Sequence, residues 1–236
     1  MSPRKPAALR NGDSQGLHEY LIATAARLID QRGSAGLAVR DIAAEARVAD
    51  GVLYNYFEDK EDLLAHALLA HVGTVMADAP HMPEAGTDTV AENLGLFIDR
   101  GLAVLVRVTP AFAGLLSQPK VLSRFHAMAG GDAAFGAAAA GDSQDTSPGA
   151  SQVEPRPRAL PEILSTYLRA EQRLGRIDAG ADVDAAATLI IGAIHGQVLP
   201  RVLFNPPGSP ITTPPGFSSR LAETILSGIA PGSRHP

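Results

Sequence analysis

The chain contains no cysteine among its 236 residues. This absence excludes disulfide bonds, thiolate metal ligands and a cysteine nucleophile, and it fits a reducing compartment. Aromatic side chains make up only 5% of the sequence, and tryptophan is absent. The apolar fraction of 45% is still enough to bury a core, and the length favours one domain of moderate size or two small ones.

Positive charge is also in short supply. The formal net charge is -5, so binding to nucleic acid would require a local patch rather than bulk charge. The acid is unevenly placed, because residues 1–60 hold eight basic and eight acidic side chains, whereas residues 61–236 hold twelve and seventeen. All of the excess acid therefore lies after residue 60.

Targeting segments and catalytic motifs are lacking as well. The first residues carry basic groups but no apolar run of signal-peptide length, so we expect a soluble cytoplasmic protein that makes no contact with a membrane. The sequence has no G-x-S-x-G elbow, P-loop or dinucleotide-binding glycine turn, and we expect no enzymatic activity. His66 and His71 would project about 140° apart on a helix, so we expect no metal and no cofactor.

The sequence is rich in helical periodicity. Apolar residues recur at helical spacing from Leu17 until Gly33 stops the pattern. The stretches "VRDIAAEA" and "DGVLYNYF" follow as two short helices in the layout of a helix-turn-helix. Pro110 is expected to end a long helix and Pro119 to break the next one. Further helices are predicted over about 64–78, 89–109, 111–128, 161–175, 183–199 and 216–229, so the pattern predicts an all-α fold of about nine helices.

The stretch "LAVRDIAAEARVADGVLYNYFEDKEDLLAHAL" resembles the DNA-binding segment of the TetR family of transcriptional regulators. A second stretch, "GRIDAGADVDAAATLIIGAIHGQ", is similar to the region leading into the family's penultimate helix. The first resemblance rests on ten positions: Ile42, Ala43, Val48, Gly51, Leu53, Tyr54, Tyr56, Phe57, Lys60 and Glu61.

The resemblance implies a domain order as well as a fold. We expect a basic arm at residues 1–16 and a helix-turn-helix head at 17–58. A larger helical domain for ligand binding and dimerisation would occupy 59–230, with a mobile Gly, Ala and Ser-rich loop at about 129–155 and a tail at 231–236.

Double-stranded DNA is the first partner implied. The second helix of a helix-turn-helix lies in the major groove, and flanking groups hold it in register on phosphates. Leu53 and Phe57 would then turn into the core. The predicted DNA-binding residues are Arg40, Arg47, Asp50, Gly51, Tyr54, Asn55, Tyr56 and Lys60, with help from Arg4, Lys5 and Arg10 in the arm.

Four positions depart from the family pattern. Arg47 replaces the usual turn glycine, Ala38 and Ala49 replace hydroxyl residues that cap the two short helices, and Asp50 adds negative charge. Because a missing cap and an added carboxylate both oppose phosphate binding, we expect weak binding to the operator.

The larger domain is predicted to bind a small hydrophobic effector and to form a homodimer. The stretch "VDAAATLIIGAIHGQVL" is apolar nearly all round, which indicates burial on two sides. For every residue below, plain core packing is the alternative. The candidate effector residues are Met76, Phe97, Phe112, Phe125, His126, Tyr167 and His195, and the candidate dimer residues are Ala186, Ile190, Gly192, Ala193, Ile194, Leu221 and Ile225.

Together these features predict a ligand-responsive repressor that binds an inverted-repeat operator as a homodimer and leaves it when the effector binds. Two alternatives stay open. One is a dimeric helical interaction protein with a weakened DNA head, and the other is a helical hydrolase or transferase. A regulator should shift a DNA fragment, whereas an enzyme of this kind should turn over a generic ester or thioester.

Overall fold

The computed structural model describes residues 14–78, 83–131, 160–206 and 209–229. Over these ranges the chain forms nine helices and no strand, which confirms the all-α prediction. The predicted arm residues Arg4, Lys5 and Arg10, most of the predicted mobile loop and the tail lie outside the described residues. The helices are α1 (Ser14–Arg32), α2 (Val39–Ala46), α3 (Asp50–Leu53), α4 (Lys60–Asp78), α5 (Val90–Ala113), α6 (Pro119–Met128), α7 (Leu160–Arg173), α8 (Val183–Phe204) and α9 (Phe217–Ile229).

The described chain divides into two compact units. The first contains residues 14–78, 103–128, 198–206 and 209–211, and the second contains 83–102, 129–131, 160–197 and 212–229. The short helices α2 and α3 therefore belong to the same unit as α4 and α6. The separate head predicted to end at residue 58 stays a prediction.

The core of the first unit is built on the contact of α1 with α4. Leu21, Ala25 and Leu28 follow one another at helical spacing and are fully buried, as are Leu64 and Leu68 of α4. Spacing of three or four residues places such side chains on one helix face. The α1 helix ends where Gly33 takes a φ of 74°, a conformation that glycine adopts without steric cost.

One of the two prolines acts differently from the prediction. Pro110 lies inside α5, which continues to Ala113, so the prediction that this proline ends the helix is wrong. A proline inside a helix removes one hydrogen bond, and its ring crowds the carbonyl oxygen four residues earlier. Here the nearby Val108 and Ala111 are buried, and their packing favours the helical path through the last turn. The predicted break at Pro119 is present, because α5 ends at Ala113 and Pro119 is the first residue of α6. Proline suits that position because the first amides of a helix have no partner within it.

The end of α5 lies against the loop between α1 and α2. The buried Ser34 hydroxyl donates to the carbonyl oxygen of Ala111 at 2.5 Å. A Cβ atom added to Gly114 would stand 2.7 Å from the backbone nitrogen of Ala35 and would also meet Ser34. Only glycine therefore fits at position 114.

The second unit combines the first part of α5 with α7, most of α8 and α9. Thr89 and Glu92 form a capping box at the start of α5, with Glu92 N–H donating to Thr89 Oγ1 at 3.2 Å and Thr89 N–H donating to Glu92 Oε2 at 3.0 Å. The Thr89 hydroxyl and then its backbone N–H hold the pKa of Glu92 below its ordinary value. At Gly101 an added Cβ would be 2.9 Å from Ile194 Cδ1, so α5 and α8 pack closely here.

Helix α8 leaves much apolar surface uncovered. Among the described residues it is the one helix long and apolar enough to cross a membrane by length and composition, a test that interior helices of soluble proteins also pass. Leu189 is 62% exposed and Phe204 is 82% exposed.

We expect opposite effects from adding one methyl group at two glycines of the first unit. Gly114→Ala should lower the free energy of unfolding by about 1–3 kcal/mol through overpacking against Ser34 and Ala35. Gly73→Ala is the control, because nothing lies within 4 Å of its added Cβ, and it should be neutral or stabilising by about 0.5–1 kcal/mol. Urea unfolding of both variants measures the difference. Equal stability of the two would show that the contact at Gly114 is not tight.

Candidate nucleic-acid interface

Helix α3 is shorter than predicted. It covers only the four residues Asp50–Leu53, whereas the sequence pattern predicted a helix through Phe57. The next residues continue as a tight turn, in which Asn55 N–H donates to Val52 O at 3.2 Å and Tyr56 N–H donates to Leu53 O at 3.0 Å. Bonds between residues three apart are those of a 3₁₀ turn, which often completes a short α-helix.

The residues of this segment divide cleanly between core and surface. Leu53 and Phe57 are buried, which confirms the prediction that they turn inward. Tyr54 is 58% exposed, Asn55 is exposed, and Tyr56 is half-buried. The phenol and amide groups at 54 and 55 thus face outward, where they can meet hydrogen-bonding groups of another molecule.

The aromatic ring of Phe57 contacts two histidine rings, and nothing in the sequence pattern predicted these pairings. His18 of α1 stacks on Phe57 with ring centroids 4.8 Å apart. His66 of α4 meets Phe57 at 6.0 Å and His18 at 5.7 Å, both edge-on. His18 precedes a run of apolar residues on α1, but no sequence signal pairs it with Phe57. The three rings join α1, the end of the α3 turn and α4.

The N-termini of α2 and α3 lack side-chain caps. Ala49 is the N-cap of α3 and supplies no side-chain hydrogen bond, so Asp50 is the first helical residue rather than the cap. Ala38 likewise has no side-chain acceptor at the start of α2, although Asp41 Oδ2 accepts its N–H at 2.9 Å. Half of a capping box therefore remains at α2, and α3 has neither half.

Arg47 ends α2 in a left-handed backbone conformation, with a φ of 58°. Its N–H donates to Ala44 O at 3.2 Å, and Val48 N–H donates to Ala43 O at 3.0 Å, which is the bonding of a glycine-type helix end. A side chain at this φ is strained. Its exposed guanidinium makes a functional reason for the arginine worth testing.

The remaining predicted DNA-binding residues are accessible. The Arg40 side chain is 81% exposed. Gly51 is exposed, and nothing lies within 4 Å of a Cβ added there, so another molecule can come close to its backbone. Lys60 is the first residue of α4 and is half-buried. All eight predicted residues thus have exposed or half-exposed side chains in the segment from α2 to the start of α4.

A cationic residue outside this segment also contacts it. Arg124 of α6 has Nη1 2.5 Å from Asp59 Oδ1 and Nη2 3.1 Å from Glu58 Oε2. The Asp62 N–H is the main group that holds the pKa of Asp59 below its ordinary value, and Arg124 adds to this effect. No sequence pattern indicated this contact, because Arg124 lies 65 positions after Asp59.

The candidate effector residues fall in both units. In the first unit, Met76 and Phe112 pack against the buried cluster of Val75, Val104 and Val108. The Phe112 and Phe125 rings meet edge-on at 5.0 Å. His126 follows Phe125 on α6 and is half-buried. Met76, Phe112 and Phe125 therefore lie on three neighbouring helices of one apolar core.

In the second unit, Phe97 and Tyr167 are buried. Burial, and then the Glu171 carboxylate beside it, raise the pKa of the Tyr167 hydroxyl. Glu171 is itself fully buried and lies 3.3 Å from Arg176, an ion pair that the sequence analysis missed. Tyr167 and Glu171 are one helical turn apart, which is the signal that could have linked them.

His195 does not line an enclosed site. Its side chain is exposed, and Nδ1 lies 2.9 Å from the carbonyl oxygen of Ile191 in the same helix. His71, in contrast, is 3% exposed, and Nε2 lies 3.3 Å from Arg107 O. His71 is therefore a core histidine within hydrogen-bonding distance of a backbone carbonyl oxygen.

The candidate dimer residues on α8 lie on different faces of that helix, and Leu221 and Ile225 belong to α9. Ala186, Ile190 and Ile194 are buried within their own chain and are therefore not available to a partner, which corrects their assignment. All-round apolarity could not tell the two faces apart. Ala193, Leu221 and Ile225 are half-buried, and Gly192 is exposed. The exposed face of α8 also carries Leu189, Gly196, Leu199 and Leu203.

Comparisons with known proteins bear on the same segment. Residues 21–67 match the family model described as bacterial regulatory proteins, tetR family. An HTH-type transcriptional repressor of Mycobacterium tuberculosis is 33% identical over 106 residues, which are 44% of this chain and 53% of the repressor. The chain thus spans about half the length of the curated relatives that it matches.

Two solved structures share the fold over nearly their whole length. A TetR-family transcriptional regulator of Mesorhizobium loti is 16% identical with a TM-score of 0.60, covering 91% of this chain and 96% of that one. The regulator FadR of Bacillus subtilis, in complex with stearoyl-CoA, is 22% identical with a TM-score of 0.52, covering 90% and 99%. At these identities the likeness is one of fold.

Replacing Arg47 with glycine should change stability and DNA binding in opposite directions. Relief of the left-handed strain should raise the free energy of unfolding by about 1 kcal/mol. Loss of the guanidinium should weaken DNA binding and reduce the salt slope by about one unit per head. Thermal unfolding and fluorescence anisotropy at several salt concentrations measure the two effects. If the variant is more stable and its affinity for DNA equals that of the wild type, Arg47 does not contribute to DNA binding.

Proposed function

We propose that this chain, which belongs to the tetR family of bacterial regulatory proteins, is a transcriptional regulator that binds double-stranded DNA through α2, α3 and the following turn. The observation that carries the proposal is the division of the α3 segment, where Leu53 and Phe57 are buried and Tyr54 and Asn55 are exposed. This segment lies within residues 21–67, which match the family model. The curated relative from Mycobacterium tuberculosis, a repressor, favours repression over activation.

Tyr54, Asn55 and Tyr56 would contact phosphates or base edges from the α3 turn. The side chains of Arg40, Arg47 and Lys60 would bind phosphates of the DNA backbone and so hold the protein on the duplex. Gly51, which has no side chain, would let the protein backbone come close to the DNA. Phosphate contacts position a head without specifying sequence, so base recognition would rest on Asn55 and the tyrosines. The negative charge of Asp50 would repel the DNA phosphates. The N-terminus of α3 has no side-chain cap, so the helix that carries the contacts is less stable. The wild type should therefore bind weakly.

A homodimer would cover the exposed apolar face of α8. Leu189, Gly192, Gly196 and Leu199 recur along this face every three or four residues, and the small residues permit close helix approach. A two-fold dimer presents two recognition segments about 34–36 Å apart, or one turn of DNA, so the operator should be an inverted repeat. The place of action would be the cytoplasm, where the DNA is.

The effector would be a small hydrophobic molecule bound among the apolar side chains of α4, α5 and α6, where Met76, Phe112 and Phe125 lie. The FadR structure from Bacillus subtilis, which shares the fold, holds stearoyl-CoA. An effector releases DNA only through its different affinity for the DNA-bound and free conformations. The wild type should therefore lose DNA when this effector is added.

The dimer can be tested at Gly192. Gly192→Lys should produce monomers in light scattering or sedimentation, because a charged side chain would stand in the apolar face of α8. The fold should tolerate the change, since nothing lies within 4 Å of a Cβ added at Gly192. Gly73→Lys is a matched control, as another exposed helical glycine with open space around it. A dimer that persists in Gly192→Lys would remove α8 from the interface.

The DNA head can be tested at Ala49. A serine cap stabilises a helix by about 1 kcal/mol and brings a hydroxyl towards phosphate, so Ala49→Ser should strengthen DNA binding roughly fivefold. Asp50→Asn should strengthen it too by removing like charge. Ala23→Ser, on an exposed position of α1, is the control and should change little. Anisotropy on the inverted repeat nearest the gene's own promoter gives the affinities.

The same experiment separates the regulator from its main alternative. Tight wild-type binding with a steep salt slope, unimproved by either change, would mean that the head is not weakened. No binding by the wild type or by either variant, with the dimer intact, would favour a dimeric interaction protein.

A further inference from the structure

The start of α4 is crowded with negative charge. Lys60, the proposed phosphate contact, is flanked by Glu58, Asp59, Glu61 and Asp62. The backbone at this point is already fixed by two local hydrogen bonds, since Asp62 N–H donates to Asp59 Oδ1 at 2.8 Å and Glu58 N–H donates to Asp62 Oδ2 at 3.1 Å. The carboxylates thus cap the helix, but they also surround the lysine with charge that opposes DNA.

Arg124 places its guanidinium among three of these carboxylates. Nη1 lies 2.5 Å from Asp59 Oδ1 and 3.9 Å from Asp62 Oδ1, and Nη2 lies 3.1 Å from Glu58 Oε2. Lys120, on the same helix, also lowers the pKa of Asp59, but less than Arg124 does. Arg124 belongs to α6, outside the helix-turn-helix, yet its charge lies next to the DNA-binding segment.

We propose that Arg124 is a positioning residue for DNA binding, which acts by neutralising the carboxylates beside Lys60. The inference rests on the proposed binding of DNA. With the guanidinium in place, the carboxylates have a partner other than Lys60, and the lysine ammonium is free to face a phosphate. Without it, the same carboxylates pair with Lys60 and repel the phosphate backbone.

The geometry favours a role in charge over a role as a mechanical clamp. The Arg124 side chain is 33% exposed and that of Asp59 is 41% exposed, and exposed ion pairs contribute little to stability. The start of α4 has its own capping bonds and does not need Arg124 to form. The electrostatic effect should act at low salt and be screened at high salt.

Three variants separate charge from geometry. Arg124→Gln makes the cluster more negative by one charge, Asp59→Asn makes it less negative by one, and the double variant restores the wild-type sum. Asparagine caps helices as well as aspartate does, so the start of α4 is kept. Arg173→Gln, on an exposed position of α7, controls for the loss of one positive charge from the whole chain.

The measurement is the affinity of each full-length variant for the inverted-repeat duplex, from low to high salt, with a thermal melt of each. At low salt, Arg124→Gln should bind roughly threefold to tenfold more weakly than the wild type, with an unchanged melt. Asp59→Asn should bind at least as tightly as the wild type, and the double variant should return to within about twofold of it. These differences should vanish at high salt.

Two results would overturn the inference while the proposed function stands. One is wild-type affinity in Arg124→Gln. The other is a double variant as weak as Arg124→Gln, because a charge role requires rescue and a clamp does not. If the wild type does not bind duplex DNA at all, the proposed function fails and this inference fails with it.

Discussion

A four-residue helix has no stability of its own in water, because helix nucleation fixes several residues for a single hydrogen bond. Helix α3 is held in place by the burial of Leu53 within it and of Phe57 in the turn that follows it. The outward direction of Tyr54 and Asn55 follows from that burial, since these residues share the same short turn. Every contact proposed with DNA therefore depends on the small core under α3.

Local interactions, such as helix caps and favourable backbone conformations, contribute little to the stability of α2 and α3. Ala38 and Ala49 give no side-chain caps, and Arg47 holds a backbone conformation that glycine would adopt more readily. Stabilisation comes instead from tertiary contacts, above all the packing of α1 along α4 and the stacking of His18 on Phe57. Because α4 continues directly from the α3 turn, charges near its first residue, including that of Arg124, bear on the same segment.

Periodicity in the sequence predicted much of this architecture. The burial of Leu21, Leu28 and Leu64 follows from helical spacing, and the bounds of α2 agree with the stretch "VRDIAAEA". Periodicity could not show that α3 ends after Leu53. In the 3₁₀ turn that follows, buried and exposed side chains alternate almost as they would in a continued α-helix. It also could not show that α5 passes through Pro110, since buried neighbours on either side decide that outcome.

Contacts between residues that are far apart in the chain could not be predicted from the sequence. Nothing in the composition of α8 separates the buried Ile190 and Ile194 from the exposed Leu189, because every face of that helix is apolar. The pairing of Arg124 with Asp59, and of Glu171 with Arg176, depends on how the chain folds back on itself. From sequence alone, charged residues on one face of a helix predict that this face is exposed to solvent. An ion pair can be predicted only when the oppositely charged residue on the other helix is known.

The central claim is that the α3 segment recognises duplex DNA in a two-fold arrangement. Selection of bound duplexes from a random-sequence pool, carried out at low salt with the wild-type chain and with Asn55→Ala, tests it directly. The wild type should enrich an inverted repeat whose half-sites are centred about one helical turn apart. Asn55→Ala should lose this enrichment while keeping weak binding to DNA in general. A wild-type pool that stays random, or a repeat enriched equally by Asn55→Ala, would contradict it.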